Sequence, residues 1–287
     1  MIRAFCFVVA LLVSGLAQAQ QFGDKDEIVL KPDTAYLLFR SSHPAPMLFI
    51  KTADEGERAR YIVARKEALD KALVKYERKL KSYESEFRAW EKARKSGTPF
   101  PEPKRPVKPT DETLDFPPIE RLLMNQNVGK PRVIKNDGSE HYYLVAVPPG
   151  THSVYGSITM AAQGGFGGVC MCMGTVKFDA KPGVITDLGA FIYLGGQLPP
   201  SQRKQAALEA LQASGVPALS LVPAVEGAPV NPRFAGLPIH AAEFSASEKF
   251  PNYFGVLIDR LGEVPGVLRY ERDRIIDVRT GGAAAAK

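Results

Sequence analysis

The chain has 287 residues, of which 45% are apolar, and its 37 Lys and Arg residues against 31 Asp and Glu residues give a net charge of +6. This apolar content is ordinary for a globular protein and is enough to build a core. The three cysteines are too few for a disulfide framework, so the core must hold the fold together.

The first 19 residues have the pattern of a secretory signal peptide. Arg3 provides a positive start, an apolar run follows from Ala4 to Val13, and Ala17-Gln18-Ala19 forms a small-x-small cleavage site. The apolar run is too short to span a bilayer, which takes about 20 apolar residues. We therefore expect cleavage near Ala19 and a periplasmic or secreted protein with no transmembrane segment in the mature chain.

The net charge and the compartment together limit the partners. A basic surface outside the cytoplasm favours an anionic envelope polymer, and an envelope protein is the other partner that this compartment offers. We expect no nucleic-acid partner, because the chain carries an export signal.

Residues 20–51 predict the N-terminal strands of a β-sandwich. The runs EIVLK, AYLLFR and PMLFIK are short and apolar. Pro-Asp and Ser-Ser-His-Pro separate them, and such residues are typical of the breaks between strands.

Residues 52–97 predict one long amphipathic helix inserted into the β domain. Neither Pro nor Gly occurs from Glu57 to Lys95, and strong helix formers dominate. Apolar residues recur at alternating spacings of four and three, which places them in a seam along a helix of about 60 Å. The seam consists of Leu69, Leu73, Tyr76, Leu80, Tyr83, Phe87 and Trp90. It predicts either a homodimer through the helix or docking within the chain, and its Tyr and Trp residues favour docking within the chain.

Residues 98–118 predict a stiff extended connector. The stretches TPFPEPKRPVKP and DFPP are too rich in proline for a helix or a central strand. Ordered packing of this connector along a protein surface is the alternative interpretation.

Residues 119–195 predict the remainder of the β-sandwich. HYYLVAV, the stretch from Gly150 to Met160 and VITDLGAFIYL are strand-like and are separated by Pro-Gly turns without helices, which favours antiparallel pairing. Residues 196–287 predict a small C-terminal α/β or irregular subdomain with a short helix at 200–215 and a frayed tail. The expected fold class is therefore α+β, an antiparallel β-sandwich with a long inserted helix.

The cadence VAVPPGTHSV followed by GTVKFDAKPGVITDLGAFIYL resembles the bacterial extracytoplasmic prealbumin-like, or carboxypeptidase-regulatory-like, sandwich modules. The resemblance covers residues 140–194. It implies a β-sandwich fold and carries over no catalytic residue.

The stretch GGFGGVCMCMG, residues 164–174, allows three interpretations. In a regular strand from Val169 to Asp179, Cys170 and Cys172 face one side as buried thiols, and Met171 and Met173 face the other. A bend after the glycines permits a Cys170–Cys172 disulfide. A bend also permits a soft-ligand copper site built from these two cysteines and two methionines.

No catalytic motif emerges from the sequence. It contains no GxSxG, HExxH, GxxxxGK[ST] or GxGxxG, and its four histidines have no ligand spacing. We expect a non-enzymatic extracytoplasmic interaction or envelope-associated protein, with no cofactor apart from the copper considered above. The alternative is a periplasmic copper- or thiol-handling protein that uses Cys170 and Cys172, and an unrecognised hydrolase is a third interpretation.

Overall fold

The computed structural model describes residues 21–41, 46–97, 99–125, 134–136, 140–160, 164–193 and 217–283. The predicted signal peptide and the predicted helix at 200–215 lie outside these ranges. The chain divides into two compact units: a β unit of Met1–Thr52 and Leu123–Lys287, and an insertion of Ala53–Leu122. No helix within the described ranges combines the length and the apolar content that a membrane span needs.

The described residues of the β unit contain fifteen strands. They are β1 (Ala35–Ser41), β2 (Met47–Lys51), β3 (Lys135–Asn136), β4 (His141–Val147), β5 (Gly150–Met160), β6 (Phe166–Cys170), β7 (Thr175–Ala180), β8 (Ile185–Tyr193), β9 (Leu219–Val222), β10 (Ile239–Ala241), β11 (Ser245–Ser247), β12 (Leu257–Ile258), β13 (Leu268–Glu271), β14 (Arg274–Asp277) and β15 (Gly282–Ala283).

These strands form two large sheets and one small sheet. Sheet A has the order β10-β8-β1-β4-β3, with β9 also paired to β8. Sheet B has the order β11-β7-β5-β6-β12, with β2 also paired to β5. The remaining strands form a three-stranded sheet in the order β13-β14-β15.

The main core unites residues of sheets A and B. Alternate residues of β1, Ala35, Leu37 and Phe39, are buried in one cluster with Phe49 of β2 and Val154 of β5. This period of two is the expected consequence of strand geometry, in which successive side chains face opposite sides of a sheet.

The residues between these core positions are also buried, on the other faces of the two sheets. Tyr36 and Leu38 of β1 belong to a second cluster, and Leu48, Ile50 and Tyr155 belong to a third. Strands covered on both faces need no polar alternation, which explains why AYLLF and MLFI are continuous apolar runs.

The predicted wholly antiparallel sandwich differs from the structure, because both large sheets are mixed. β1 and β4 are antiparallel, but β1 and β8 run parallel, with Tyr36 opposite Ile185. β10 also runs parallel to β8, and β12 runs parallel to β6. The prediction assumed pairing between strands that are neighbours along the chain, whereas these pairs join distant segments.

The C-terminal region completes both large sheets. β9 and β10 pair with β8 of sheet A, while β11 pairs with β7 and β12 with β6 of sheet B. In the described residues, four strands of the region predicted as a small α/β or irregular subdomain are thus part of the two large sheets. Only β13, β14 and β15 form a sheet of their own.

Hydrogen bonds join the two segments of the β unit that flank the insertion in the chain. The Lys51 amide donates to the Leu123 carbonyl at 3.3 Å. The Phe49 amide donates to Asn125 Oδ1 at 2.5 Å, and the Asn125 amide donates back to the Phe49 carbonyl at 3.1 Å. The strand before the insertion and the segment after it are therefore bonded to each other through residues of the β unit alone.

The long helix predicted from the sequence is confirmed. Helix α1 spans Glu55–Lys95, within the predicted range of 52–97. Asp54 and Glu57 form a capping box at its start, which satisfies amide groups that a helix N-terminus otherwise leaves unbonded. A second helix, α2, spans Ile119–Leu122.

Candidate functional site

The regular strand from Val169 to Asp179, one of the three interpretations of this stretch, is interrupted in the structure. β6 ends at Cys170 and β7 begins at Thr175, and both pair with β5. Between the paired positions, residues 171–176 lie opposite only residues 154 and 155 of β5. The extra residues form a large bulge, and a bulge bends the strand that carries it.

The bend brings the two cysteines together as a disulfide. The Cys170 and Cys172 sulfurs are 2.02 Å apart and the Cα atoms 5.2 Å apart. A straight strand separates such Cα atoms by about 6.6 Å, so the bulge supplies the approach that the bond needs. Both cysteines are buried, with 0% and 2% of their surface exposed.

Backbone hydrogen bonds fix this turn on both sides. The Met171 amide donates to the Tyr155 carbonyl of β5 at 2.7 Å. The Met173 amide donates to the Asp259 carbonyl, and the Asp259 amide donates to the Cys170 carbonyl, both at 2.9 Å. The C-terminal segment thus takes up backbone groups that the interrupted strand leaves without a ladder partner.

Aromatic rings cover the disulfide. Cys170 and Cys172 share a buried cluster with Tyr155, against which Phe250, Tyr253 and Phe254 pack. The Tyr155 ring centroid lies 5.8 Å from that of Tyr253 and 5.9 Å from that of Phe254. A disulfide buried under aromatic rings stabilises the fold and is shielded from thiols in solution.

The methionines of the predicted copper site differ in exposure. Met171 is fully buried in the main core, whereas Met173 is 40% exposed. Within the described ranges no three or more His, Cys, Asp or Glu side chains group as metal ligands would. The copper site stays a prediction, and it requires the Cys170–Cys172 disulfide to be reduced, since a thiolate is the metal ligand.

The insertion forms a hairpin of α1 and the proline-rich connector. Near the start of α1, the Tyr61 hydroxyl donates to the Pro117 carbonyl at 3.2 Å, and the Tyr61 and Phe116 rings lie 5.5 Å apart. One turn later, Arg65 donates to the Asp111 carbonyl and forms an ion pair with its carboxylate at 3.6 Å.

Chain length then determines the path of the connector. Arg65 is thirty residues before Lys95, or about 45 Å along the helix axis. Asp111 is fourteen residues after Gly97, or about 43 Å at the polyproline II rise of about 3.1 Å per residue. Because Arg65 contacts Asp111, the described residues 99–111 must run extended back along α1.

Exposure along the two arms agrees with this path. Pro103, Pro106 and Pro109 are half-buried and the residues between them are exposed, which is the three-residue period of a polyproline II helix with one edge covered. All seven seam residues of α1 are half-buried as well: Leu69, Leu73, Tyr76, Leu80, Tyr83, Phe87 and Trp90. This exposure pattern agrees with the alternative prediction, ordered packing of the connector along a protein surface.

The distal part of this hairpin is strongly basic. Residues 75–108, here called the basic segment, contain eleven Lys and Arg against five Asp and Glu, a net charge of +6 that equals the charge of the whole chain. All eleven basic side chains are exposed. The rest of the insertion, 53–74 and 109–122, has six basic and nine acidic residues. The insertion is therefore positive at one end and negative at the other.

The structure also assembles a cleft that the sequence analysis missed. Arg40 of β1 and Asp187 of β8 both line a cleft of about 360 Å³ against sheet A. The available signal was a single charged residue in each of two apolar runs, AYLLFR and VITDLGAFIYL. Nothing in the sequence indicates that these two runs are neighbours.

Comparisons with protein-family models, with curated proteins and with solved structures found no match to this chain. The resemblance of residues 140–194 to prealbumin-like modules thus stays a prediction. Any functional proposal has to be argued from the residues themselves.

Proposed function

We propose that the protein is a non-enzymatic extracytoplasmic interaction protein whose basic segment binds an anionic polymer of the cell envelope. The observation that carries the proposal is the concentration of the entire net charge of the chain, +6, in residues 75–108. A local excess of one charge raises the concentration of oppositely charged partners near it.

The architecture of the insertion supports a binding role. The seam residues are half-buried, and the Lys and Arg side chains of the basic segment are exposed. Arg94 lies with its guanidinium 5.4 Å from the centre of the Trp90 ring, which combines an aromatic surface with a positive charge. The homodimer through the helix stays an alternative prediction that sedimentation of the purified protein tests.

The test neutralises four basic residues in the basic segment and compares them with four on the first part of the same helix. The distal variant replaces Arg78, Lys79, Lys81 and Arg88 by Gln, and the control variant replaces Arg58, Arg60, Lys66 and Lys71 by Gln. Both sets have two Arg and two Lys residues, and all eight are exposed. The two variants therefore lose the same charge at different places along the insertion.

Binding is measured by sedimentation with lipopolysaccharide and, separately, with phosphatidylglycerol vesicles, over a range of salt concentrations. Each Lys or Arg near an anionic surface contributes about 1 kcal/mol, so the distal variant should bind at least about tenfold more weakly at low salt. The control variant should bind like the unaltered protein, and rising salt should weaken all binding. Equal losses in both variants, or binding that ignores salt, would contradict the proposal. Binding to vesicles alone would replace the polymer by a lipid headgroup.

The copper- or thiol-handling alternative meets an obstacle at the disulfide. Cys170 and Cys172 are joined and buried, and a disulfide sulfur is a poor metal ligand compared with a thiolate. Copper titration of the reduced protein and of the oxidised protein tests this alternative. Tight binding by the reduced form, lost when both cysteines are replaced by Ala, would favour it over the interaction proposal.

A further inference from the structure

The cleft of about 360 Å³ lies in the β unit between sheet A and the loop 224–237. Its floor comes from three adjacent strands. Strand pairing places Leu38 beside Asp187 and Arg40 beside Tyr142. Residues of both charges and an aromatic ring therefore share one face of the sheet at the bottom of the cleft.

A bulge fixes the position of Asp187. The register between β1 and β8 shifts after Leu38, and the Gly189 amide donates to Asp187 Oδ1 at 2.9 Å. Gly189 has φ of +87°, and a Cβ at this position would lie 2.1 Å from the Val222 carbonyl oxygen. Only glycine fits there, so the bulge holds the carboxyl group in place.

Asp187 retains unused bonding capacity. Within the described part of the chain its Oδ2 atom has no hydrogen-bond partner, and burial raises the pKa of the carboxyl group, partly offset by the Gly189 amide and the Arg40 charge. A carboxylate that loses water without gaining donors is stabilised by any ligand that supplies a positive donor.

Arg40 also has donors to spare. Its guanidinium faces Glu140 at 3.6 Å, and among the described residues it donates no hydrogen bond. A guanidinium presents five N–H donors in a fixed plane and binds a carboxylate through two of them. The Glu140 contact leaves such a pair available on the cleft side.

The other lining residues are of mixed polarity, and Glu226 and Asn231 are among them. Leu38, Phe234, Leu237 and Ile239 form the apolar part of the cleft, beside the charged residues Arg40, Asp187 and Glu226. Glu226 ties the loop to the sheet edge, because its carboxylate accepts from the Ala241 amide at 2.6 Å and from His240 Nδ1 at 3.2 Å. The cleft thus has a fixed roof and a size at the lower end of small-molecule sites, which range from about 300 to 1,000 Å³.

We propose that this cleft binds an apolar α-amino acid, with the ligand carboxylate on Arg40 and the ligand ammonium on Asp187. A ligand with only a positive group leaves the remaining N–H donors of Arg40 unused, and a ligand with only a negative group leaves Asp187 Oδ2 without a donor. A neutral ligand removes water from both charged groups without supplying a charged partner to either, which costs free energy. A zwitterion with an apolar side chain supplies a partner to both charged groups and places its side chain against the apolar part of the lining. This inference is independent of the basic segment.

The experiment compares three ligands that share one side chain. L-leucine has both charges, L-leucinamide has only the ammonium, and N-acetyl-L-leucine has only the carboxylate. Isothermal titration calorimetry should show L-leucine binding at least about tenfold more tightly than either derivative, because one ion pair desolvated in a cleft contributes about 1.4 kcal/mol or more.

Two variants assign each charge to its residue. Asp187→Asn keeps the shape and should weaken L-leucine at least about tenfold while leaving N-acetyl-L-leucine no weaker; Arg40→Gln should weaken L-leucine equally while leaving L-leucinamide no weaker. Glu243→Gln, an exposed carboxylate outside the cleft lining, is the matched control and should change nothing. Circular dichroism confirms that each variant is folded. No heat at millimolar concentrations from leucine, valine, methionine or phenylalanine would overturn the proposal, as would equal binding of L-leucine and L-leucinamide.

Discussion

Gly168 and Gly167 are adjacent in the glycine-rich stretch, but they differ sharply in the space around them. Gly168 has φ of +124°, and a Cβ on it would lie 2.1 Å from the Ser157 carbonyl oxygen and 3.0 Å from Ile158 Cα, both backbone atoms of β5. A Cβ on Gly167 would meet nothing within 4 Å. Replacing each by Ala therefore separates the need for glycine from the mere loss of a flexible residue.

The expected costs follow from these contacts. In Gly168→Ala the strained backbone costs about 1–3 kcal/mol, and moving β5 away from the new methyl group costs about 1–3 kcal/mol more. The lower entropy of the unfolded chain offsets about 0.4–1 kcal/mol in either variant. We expect Gly168→Ala to lose about 2–5 kcal/mol, whereas Gly167→Ala should stay within about 1 kcal/mol of the unaltered protein.

Urea unfolding followed by far-ultraviolet circular dichroism measures both losses. Trp90, the only tryptophan, lies in the insertion, so its fluorescence reports that unit separately and should be little changed by either substitution. Unfolding free energies for the two variants that agree within about 1 kcal/mol would refute the argument, since propensity alone cannot distinguish two neighbouring glycines.

Three further predictions concern the disulfide, the cleft and the helix cap. The protein purified without reductant should be lighter than its reduced form by two hydrogens, and free thiol in the native protein would contradict the disulfide. The double replacement of Cys170 and Cys172 by Ala should lower the free energy of unfolding by about 1.5 kcal/mol, a small loss because the closed loop has only three residues. Burial raises the pKa of Asp187 above its usual 3.8, so ionisation destabilises the fold as the pH rises through the window above 3.8. Asp187→Asn should then be the more stable protein at neutral pH but not below pH 3.8 in urea titrations; a variant less stable at neutral pH opposes this. Asp54→Ala should lower the stability of α1 by about 0.5–2 kcal/mol in thermal unfolding, whereas Asp54→Asn keeps the acceptor and should cost much less; equal losses contradict the capping role.

Local patterns predict the elements that depend on neighbouring residues. The absence of Pro and Gly from Glu57 to Lys95 and the seam spacing suffice for α1, because helix bonds join residues four apart. Local patterns do not predict which strands pair with each other. Tyr36 lies opposite Ile185, about 150 residues later, and nothing near either residue encodes a parallel neighbour.

The cysteine turn shows the same limit at short range. The alternation from Val169 to Asp179 is as regular as that of a true strand. The strand is interrupted because Met173 bonds to Asp259, some 85 residues away, instead of to β5. The cleft is a second case, since Arg40 and Asp187 line one cleft only because β1 and β8 are neighbouring strands.

The close approach of Lys51 and Leu123 has a consequence for how this protein can vary. Seven added residues lengthen α1 by about 10.5 Å. Three or four more residues in the proline-rich connector lengthen it by about the same distance. Such paired changes disturb no bond within either sheet. Related proteins should therefore differ in the length of the insertion by coupled steps of seven residues in α1 and about three residues in the connector. The β unit should keep its dimensions.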